Sequence, residues 1–164
     1  MTMTETPETH PELGDQRLPS NPLVSEVLAK VSKQRTKAKK IQVLKENESL
    51  HLKSILIWNF DDSVKSILPE GEVPFDKNEA PAGTEHTYLA HEYKVLYNFI
   101  EGGNDFLKAA KREQLFLQLL EGLHADEAEV ICLMKDKKLT SKYKVTKAVV
   151  SEAYPDIEWG GRGG

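Results

Sequence analysis

The stretch KVSKQRTKAKKIQVLKENESLHLKSILIWNF, Lys30 to Phe60, decides the fold. Ala38, Ile41 and Leu44 recur every third residue, which puts them along one side of a helix predicted from Thr36 to Lys45. At 100° per residue Arg35, Lys39 and Lys40 then fall on the opposite side, with Lys37 at the rim. Asn47 breaks that helix. A second, more deeply buried one is expected from Ser49 to Phe60 through Leu50, Leu52, Ile55, Leu56 and Trp58.

Working outward, the same helical spacing continues on both sides. Upstream, Asn21 is the expected N-cap and Pro22 the first helical residue of a helix through Leu23, Val24, Val27 and Val31 to Gln34. Downstream, Pro69, Gly71, Pro74, Pro81 and Gly83 with five acids make residues 69–87 a long irregular connection, with room for a short strand at Val73–Phe75. Helix is predicted again over Tyr88–Ile100, stopped by Gly102-Gly103. Asn104 then caps an expected helix from Asp105 to Glu121. Its stripe is Phe106, Ala110, Leu117 and Leu120, and Leu115, Phe116 and Leu119 mark it as the candidate central helix. Ala125–Lys138 starts in acids and ends in bases, matching the helix macrodipole. Val145–Tyr154 is the last predicted helix, with Thr146 as its cap and Pro155 as its stop. The expected architecture is a mainly all-α, compact bundle of about six helices. It occupies residues 21–157, between flexible tails at 1–20 and 158–164.

Charge is the second strong signal. The chain of 164 residues has a net charge of −4, yet Lys30–Lys45 carries seven basic residues and no acid. A second cluster, Lys135, Lys137, Lys138, Lys142, Lys144 and Lys147, holds a single Asp136, whereas residues 46–101 carry eleven acids against four bases. Concentrated cations on a polarised body suit a polyanion, and Lys and Arg on phosphates give affinity without reading base sequence. The counter-reading is an ordinary solvated helix face, or lysines favoured at a helix C-terminus. The first run contains no acid to form i,i+4 pairs, which weakens that counter-reading. Thr146 at the start of the last helix, with Lys142 and Lys144 flanking it, is the expected phosphate-facing turn.

Catalytic signals are weak. No P-loop, GxGxxG or GxSxG is present. His86 and His91 beside Glu85 and Glu92 have no zinc-motif spacing, so no metal or other cofactor is expected. Cys132 lies in the apolar run Val130–Met134 and reads as a core residue. A single cysteine, no apolar run of bilayer length and no signal peptide point to a cytoplasmic chain with no membrane partner.

Two segments carry a family resemblance: Lys30 to Val64, and YNFIEGGNDFLKAAKREQLFLQLLEGLHADEAEVICLMKDKKLTSKYKVTKAVVSEAYPDI, Tyr97 to Ile157. The basic helix followed by Leu52–Asp62, the Gly103-Asn104 pair, the acidic Asp126–Val130 turn, Lys135-Asp136 and the Ala153-Tyr154-Pro155 ending occur in order. In this the chain resembles the N-terminal DNA-binding domain of ATP-dependent DNA ligases of the T-even bacteriophage type. The resemblance implies an all-helical domain that touches duplex DNA through its backbone and minor groove. It departs at Ser141–Lys144, where that family carries a Cys-Gly or similar pair, and it lacks the Lys-x-Asp-Gly motif of adenylation. The implied function is non-catalytic, sequence-tolerant binding of duplex or nicked DNA by a phage protein. Arg35, Lys37, Lys39, Lys40, Lys138, Lys142, Lys144, Thr146 and Lys147 are the expected contacts. The expected location is the cytoplasm of the infected host cell, or the virion. The alternative is an adaptor or virion-associated structural protein that binds a phage replication, transcription or virion protein and no nucleic acid.

Overall fold

Seven α-helices occur among the described residues, which in this computed structural model are 17–78 and 86–162. They are α1 (Val24–Lys33), α2 (Lys37–Glu46), α3 (Leu50–Phe60), α4 (Leu89–Glu92), α5 (Ala109–Gly122), α6 (Ala125–Lys135) and α7 (Lys147–Ala153). Short 3₁₀ stretches at Tyr93–Phe99 and Leu139–Ser141 join them. The fold is an all-α bundle. No strand is assigned among the described residues: Val73 and Phe75 pack half-buried on the core, and isolated bridges pair Ser66 with Ile100, Asn78 with His124 and Thr87 with Leu123. No helix there is long and apolar enough to cross a membrane.

Hydroxyl caps set three of the helix starts. Thr36, Ser49 and Thr146 side chains accept from the N–H groups of Lys39, Leu52 and Val149, closing the first turns of α2, α3 and α7. The first helix differs from expectation. Asn21 does not cap it; Leu23 occupies the cap position, and the Glu26 carboxylate accepts the Leu23 N–H at 2.8 Å.

The hub is α6, not α5: it packs on α1, α3 and α5, while α5 touches chiefly α6 and the Tyr93–Phe99 stretch. Ala128, Val130, Ile131 and Met134 of α6 are completely buried among Leu28, Leu56 and Leu120. The predicted Tyr88–Ile100 helix tightens after one turn into 3₁₀ geometry. Tyr93, Leu96 and Phe99 are three apart, and a three-residue turn eclipses them on the core. The next helix starts at Ala109 and not at Asp105. Arg112, buried on the first turn of α5, donates to the carbonyls of Asn98, Asn104 and Leu107, and so holds residues 98–107 in a fixed loop. Gly103 is obligatory in it, because a Cβ there would lie 1.9 Å from the Tyr97 carbonyl oxygen. Phe106, expected in the buried stripe, is 99% exposed at the loop's tip.

The described parts of both expected tails are packed or hydrogen-bonded. Residues 1–16, 79–85 and 163–164 lie outside the described residues, but Leu18 packs on the core and residues 158–162 are tied to α3. Distant side chains finish the helix ends. Tyr154 donates its hydroxyl to Leu44 O at the end of α2, and Lys137 donates to Trp58 O and Asp61 O at the end of α3. At the opposite polarity the buried Glu127 accepts the N–H of Val24 in α1 at 2.9 Å and of Leu89 in α4 at 3.1 Å.

Candidate nucleic-acid interface

The two basic stretches meet where α2 packs on α7. Lys37 and Lys40 from the first, with Thr140, Lys144 and Thr146 from the second, line an open groove of about 460 Å³ whose floor is Tyr143, Val145 and Val149. The segment that forms it is extended. Lys142, Lys144 and Thr146 point outward while Tyr143 and Val145 are buried, the period-2 alternation of extended chain. Ser32 fixes this segment by accepting the Lys144 N–H at 2.9 Å.

Each expected contact residue has a distinct place. Lys40 does not face away from the core as the helical wheel predicts. The buried side of α2 runs through Val43 and Leu44, one turn on, and carries Lys40 inward. Its ammonium donates to Val31 O at 3.1 Å and Ser32 O at 3.4 Å, at the end of α1, and to Lys144 O at 2.8 Å. Burial first, and then the Lys144 charge, lower its pKa. Lys40 is therefore a staple between the two basic stretches, and its charge sits beside that of Lys144 at the groove.

Lys37 pairs with Glu152 of α7 at 3.0 Å, with both side chains about half exposed. Lys144 and Arg35 are exposed, Arg35 at the α1–α2 corner. Lys39 is exposed but sits about 200° around α2 from Lys37, on the flank away from α7. Lys138 is exposed at the start of the Leu139–Ser141 turn. Lys142 is paired with Glu129 of α6 and lies over the Tyr143 ring; that hydrogen bond raises its pKa. Lys147 lies over Trp159, 5.0 Å from the ring centroid. Thr146 is an exposed N-cap. Lys37, Lys40, Lys144 and Thr146 thus share one groove, and Arg35, Lys39, Lys138, Lys142 and Lys147 do not line it.

The remaining basic residues of the second cluster are structural. Lys135 is buried and donates to Pro69 O and Asp136; Lys137, at φ 58°, spans to the end of α3. His86 and His91 do not converge. His86 stands against His124, 5.2 Å between ring centroids, and His91 acts on His51, whose pKa is lowered first by burial and then by the His91 charge. No group of three or more potential metal ligands occurs among the described residues. Burial pushes the Cys132 thiol up to about 11, so it is a poor nucleophile.

A model for a family of unknown function, DUF6433, matches residues 27–141. The chain belongs to the DUF6433 family. No curated protein and no solved structure matches it. The DUF6433 match covers most of α1, all of α2 through α6 and the turn that supplies Thr140 to the groove; Tyr143–Val149, the other wall, follow it in sequence.

The dual use of lysines gives a direct test of the groove's construction. Lys40→Met is expected to cost about 1–2 kcal/mol, because three carbonyl acceptors lose a cationic donor. Lys39→Met should stay within about 0.5 kcal/mol of the parent, as an exposed substitution without partners. Urea unfolding of the two variants compares them. Equal stabilities would contradict the stapling role.

Proposed function

We propose that this protein is a non-catalytic, sequence-tolerant DNA-binding module that holds the sugar-phosphate backbone of duplex or nicked DNA in the α2–α7 groove. The observation that carries the reading is the convergence of Lys37 and Lys40 with Lys144, more than a hundred residues further along the sequence, around one apolar-floored groove. The three hydrogens of the Lys40 ammonium are taken by carbonyls, so its charge adds to the positive field of the groove while Lys37 and Lys144 reach the phosphates. The apolar floor of Tyr143, Val145 and Val149 suits a deoxyribose face. The resemblance to the phage ligase DNA-binding domain adds to this reading, and it would make the protein a binding module acting beside phage replication.

The test is a salt titration of affinity for a short duplex. With Arg35, Lys37 and Lys144 on phosphates, log affinity should fall against log salt with a slope of about −2.7. Lys37→Glu combined with Lys144→Glu should weaken binding at least about tenfold and make the slope shallower by about one per lysine. Binding that ignores salt, or that survives the double reversal unchanged, defeats the proposal.

One observation favours the adaptor as a second reading. Phe106 stands fully exposed on a loop already fixed by Arg112, and rigid aromatic anchors are what protein interfaces use. A partner held there would survive reversal of Lys37 and Lys144, whereas DNA would be lost.

A further inference from the structure

Residues 157–162 leave α7 and cross the end of α3 as a strap. Gly160 N–H donates to Asp61 Oδ2 at 2.9 Å, Arg162 N–H to Ser63 Oγ at 2.9 Å, and the Arg162 guanidinium pairs with Asp61 at 2.6 Å. Gly160 and Gly161, at φ 88° and 77°, make the turn between these anchors. Pinned this way, Trp159 rests half-buried on the core with its indole beneath the Lys147 ammonium. Lys147 directly follows Thr146, which lines the groove. Lys147 and Val149 are about 200° apart around α7, so the ring lies on the far flank from the groove floor, one helix width of about 10 Å away.

We propose that Trp159 is a stacking platform for an unpaired nucleobase, so that the protein prefers DNA whose duplex is continued by single-stranded nucleotides. The inference rests on the DNA-binding reading above. A strand lying in the groove needs only to cross the first turn of α7 to bring a base over the indole. The incoming base takes the ring from Lys147, and the released ammonium meets the phosphate of the same nucleotide. A cation–π contact is exchanged for a base stack and a charge-assisted contact. The strap is already ordered by its hydrogen bonds to Asp61 and Ser63, so stacking costs little further entropy. Every base offers a π-face, and the site is accordingly tolerant of sequence.

The experiment compares a blunt duplex, the same duplex with a short single-stranded overhang, and the single strand alone, each titrated with full-length protein by fluorescence anisotropy. The overhang substrate should bind at least about fivefold more tightly than the blunt one, the lower end of what one base–aromatic stack contributes. Trp159→Ala should erase that preference and leave blunt-duplex affinity within about twofold, while Trp159→Phe keeps most of the preference. Tryptophan emission should also fall when the overhang substrate is added to the parent protein, and not in Trp159→Phe, where the buried Trp58 remains. That emission change decides the matter even if Trp159→Ala fails to fold. Blunt-duplex binding with no overhang preference, or a preference that survives Trp159→Ala, overturns this inference alone. Absence of binding to any of the three overturns it together with the reading on which it rests.

Discussion

Glu127→Ala is expected to lower the unfolding free energy by about 3 kcal/mol, more than any exposed substitution in the chain. The side chain is buried on α6, and each of its carboxylate oxygens accepts a different helix start: Oε2 from Val24 in α1, Oε1 from Leu89 in α4. Alanine leaves both N–H groups buried and unpaired, at about 1–3 kcal/mol each, less the desolvation cost of the lost carboxylate. Glu127→Gln separates this double cap from simple packing. The amide fills the same volume but offers only one acceptor, and its NH₂ must face a second donor, so it should cost nearly as much as alanine. Burial raises the Glu127 pKa, opposed by the N–H groups of Val24 and Leu89 and by the charge of His124. The folded protein then holds this proton more tightly than the unfolded chain. Its contribution is fully present in acid and declines as pH rises from the ordinary glutamate range through the folded value. A glutamine variant as stable as the parent at neutral pH would show that the two helix starts do not depend on this group.

The helices themselves were legible because their signals are local. Thr36, Ser49 and Thr146 are hydroxyls directly before amphipathic runs and each caps its helix, although of the three expected caps, Asn21, Asn104 and Thr146, only Thr146 serves as one. The failures have a common physical origin: long-range partners changed what a residue does. Lys40 reads as a solvated cation until the carbonyls at the end of α1 are seen beside it. Phe106 reads as core until Arg112 gathers three carbonyls and delays the start of α5. Arg162 reads as part of a loose tail until Asp61, a hundred residues earlier, is seen to hold it. One missed feature was visible in the sequence. The alternation Lys142-Tyr143-Lys144-Val145-Thr146 is the period of extended chain, and it places Tyr143 and Val145 under the groove. The two basic stretches meet, but their membership in the groove is not what charge counting suggests. Lys40, Lys135 and Lys137 end helices or anchor a loop, and Lys142 is held by Glu129. Counting positive charges therefore overstates the surface open to a polyanion.

Asp61→Asn should release the strap and cost about 3 kcal/mol. Asp61 caps the end of α3 with its side chain almost wholly buried. Oδ1 accepts the N–H and hydroxyl of Ser63, and Oδ2 accepts Gly160 N–H and the Arg162 guanidinium. An amide can serve one pair but not both, because its NH₂ opposes donors. Burial by itself would raise the Asp61 pKa, but hydrogen bonds from Ser63, Gly160 and Arg162 outweigh it and hold the carboxyl well below the usual carboxylate range. A depressed folded pKa means that this stabilisation is fully present above the ordinary aspartate range and is lost as pH falls through the folded value. The gap in stability between the parent and Asp61→Asn should thus be constant near neutrality and shrink in acid, where the parent's own carboxylate takes up a proton. Release of the strap also frees Trp159 from the core, so native-state emission should shift to the red in the variant while Trp58 stays buried. Urea unfolding across pH, with emission recorded in parallel, reads both effects. A variant with unshifted emission and the parent's stability would mean that the strap is held by Trp159 and Ile157 packing and not by Asp61. The overhang preference proposed for Trp159 should then persist in Asp61→Asn, whereas a released strap should lose it.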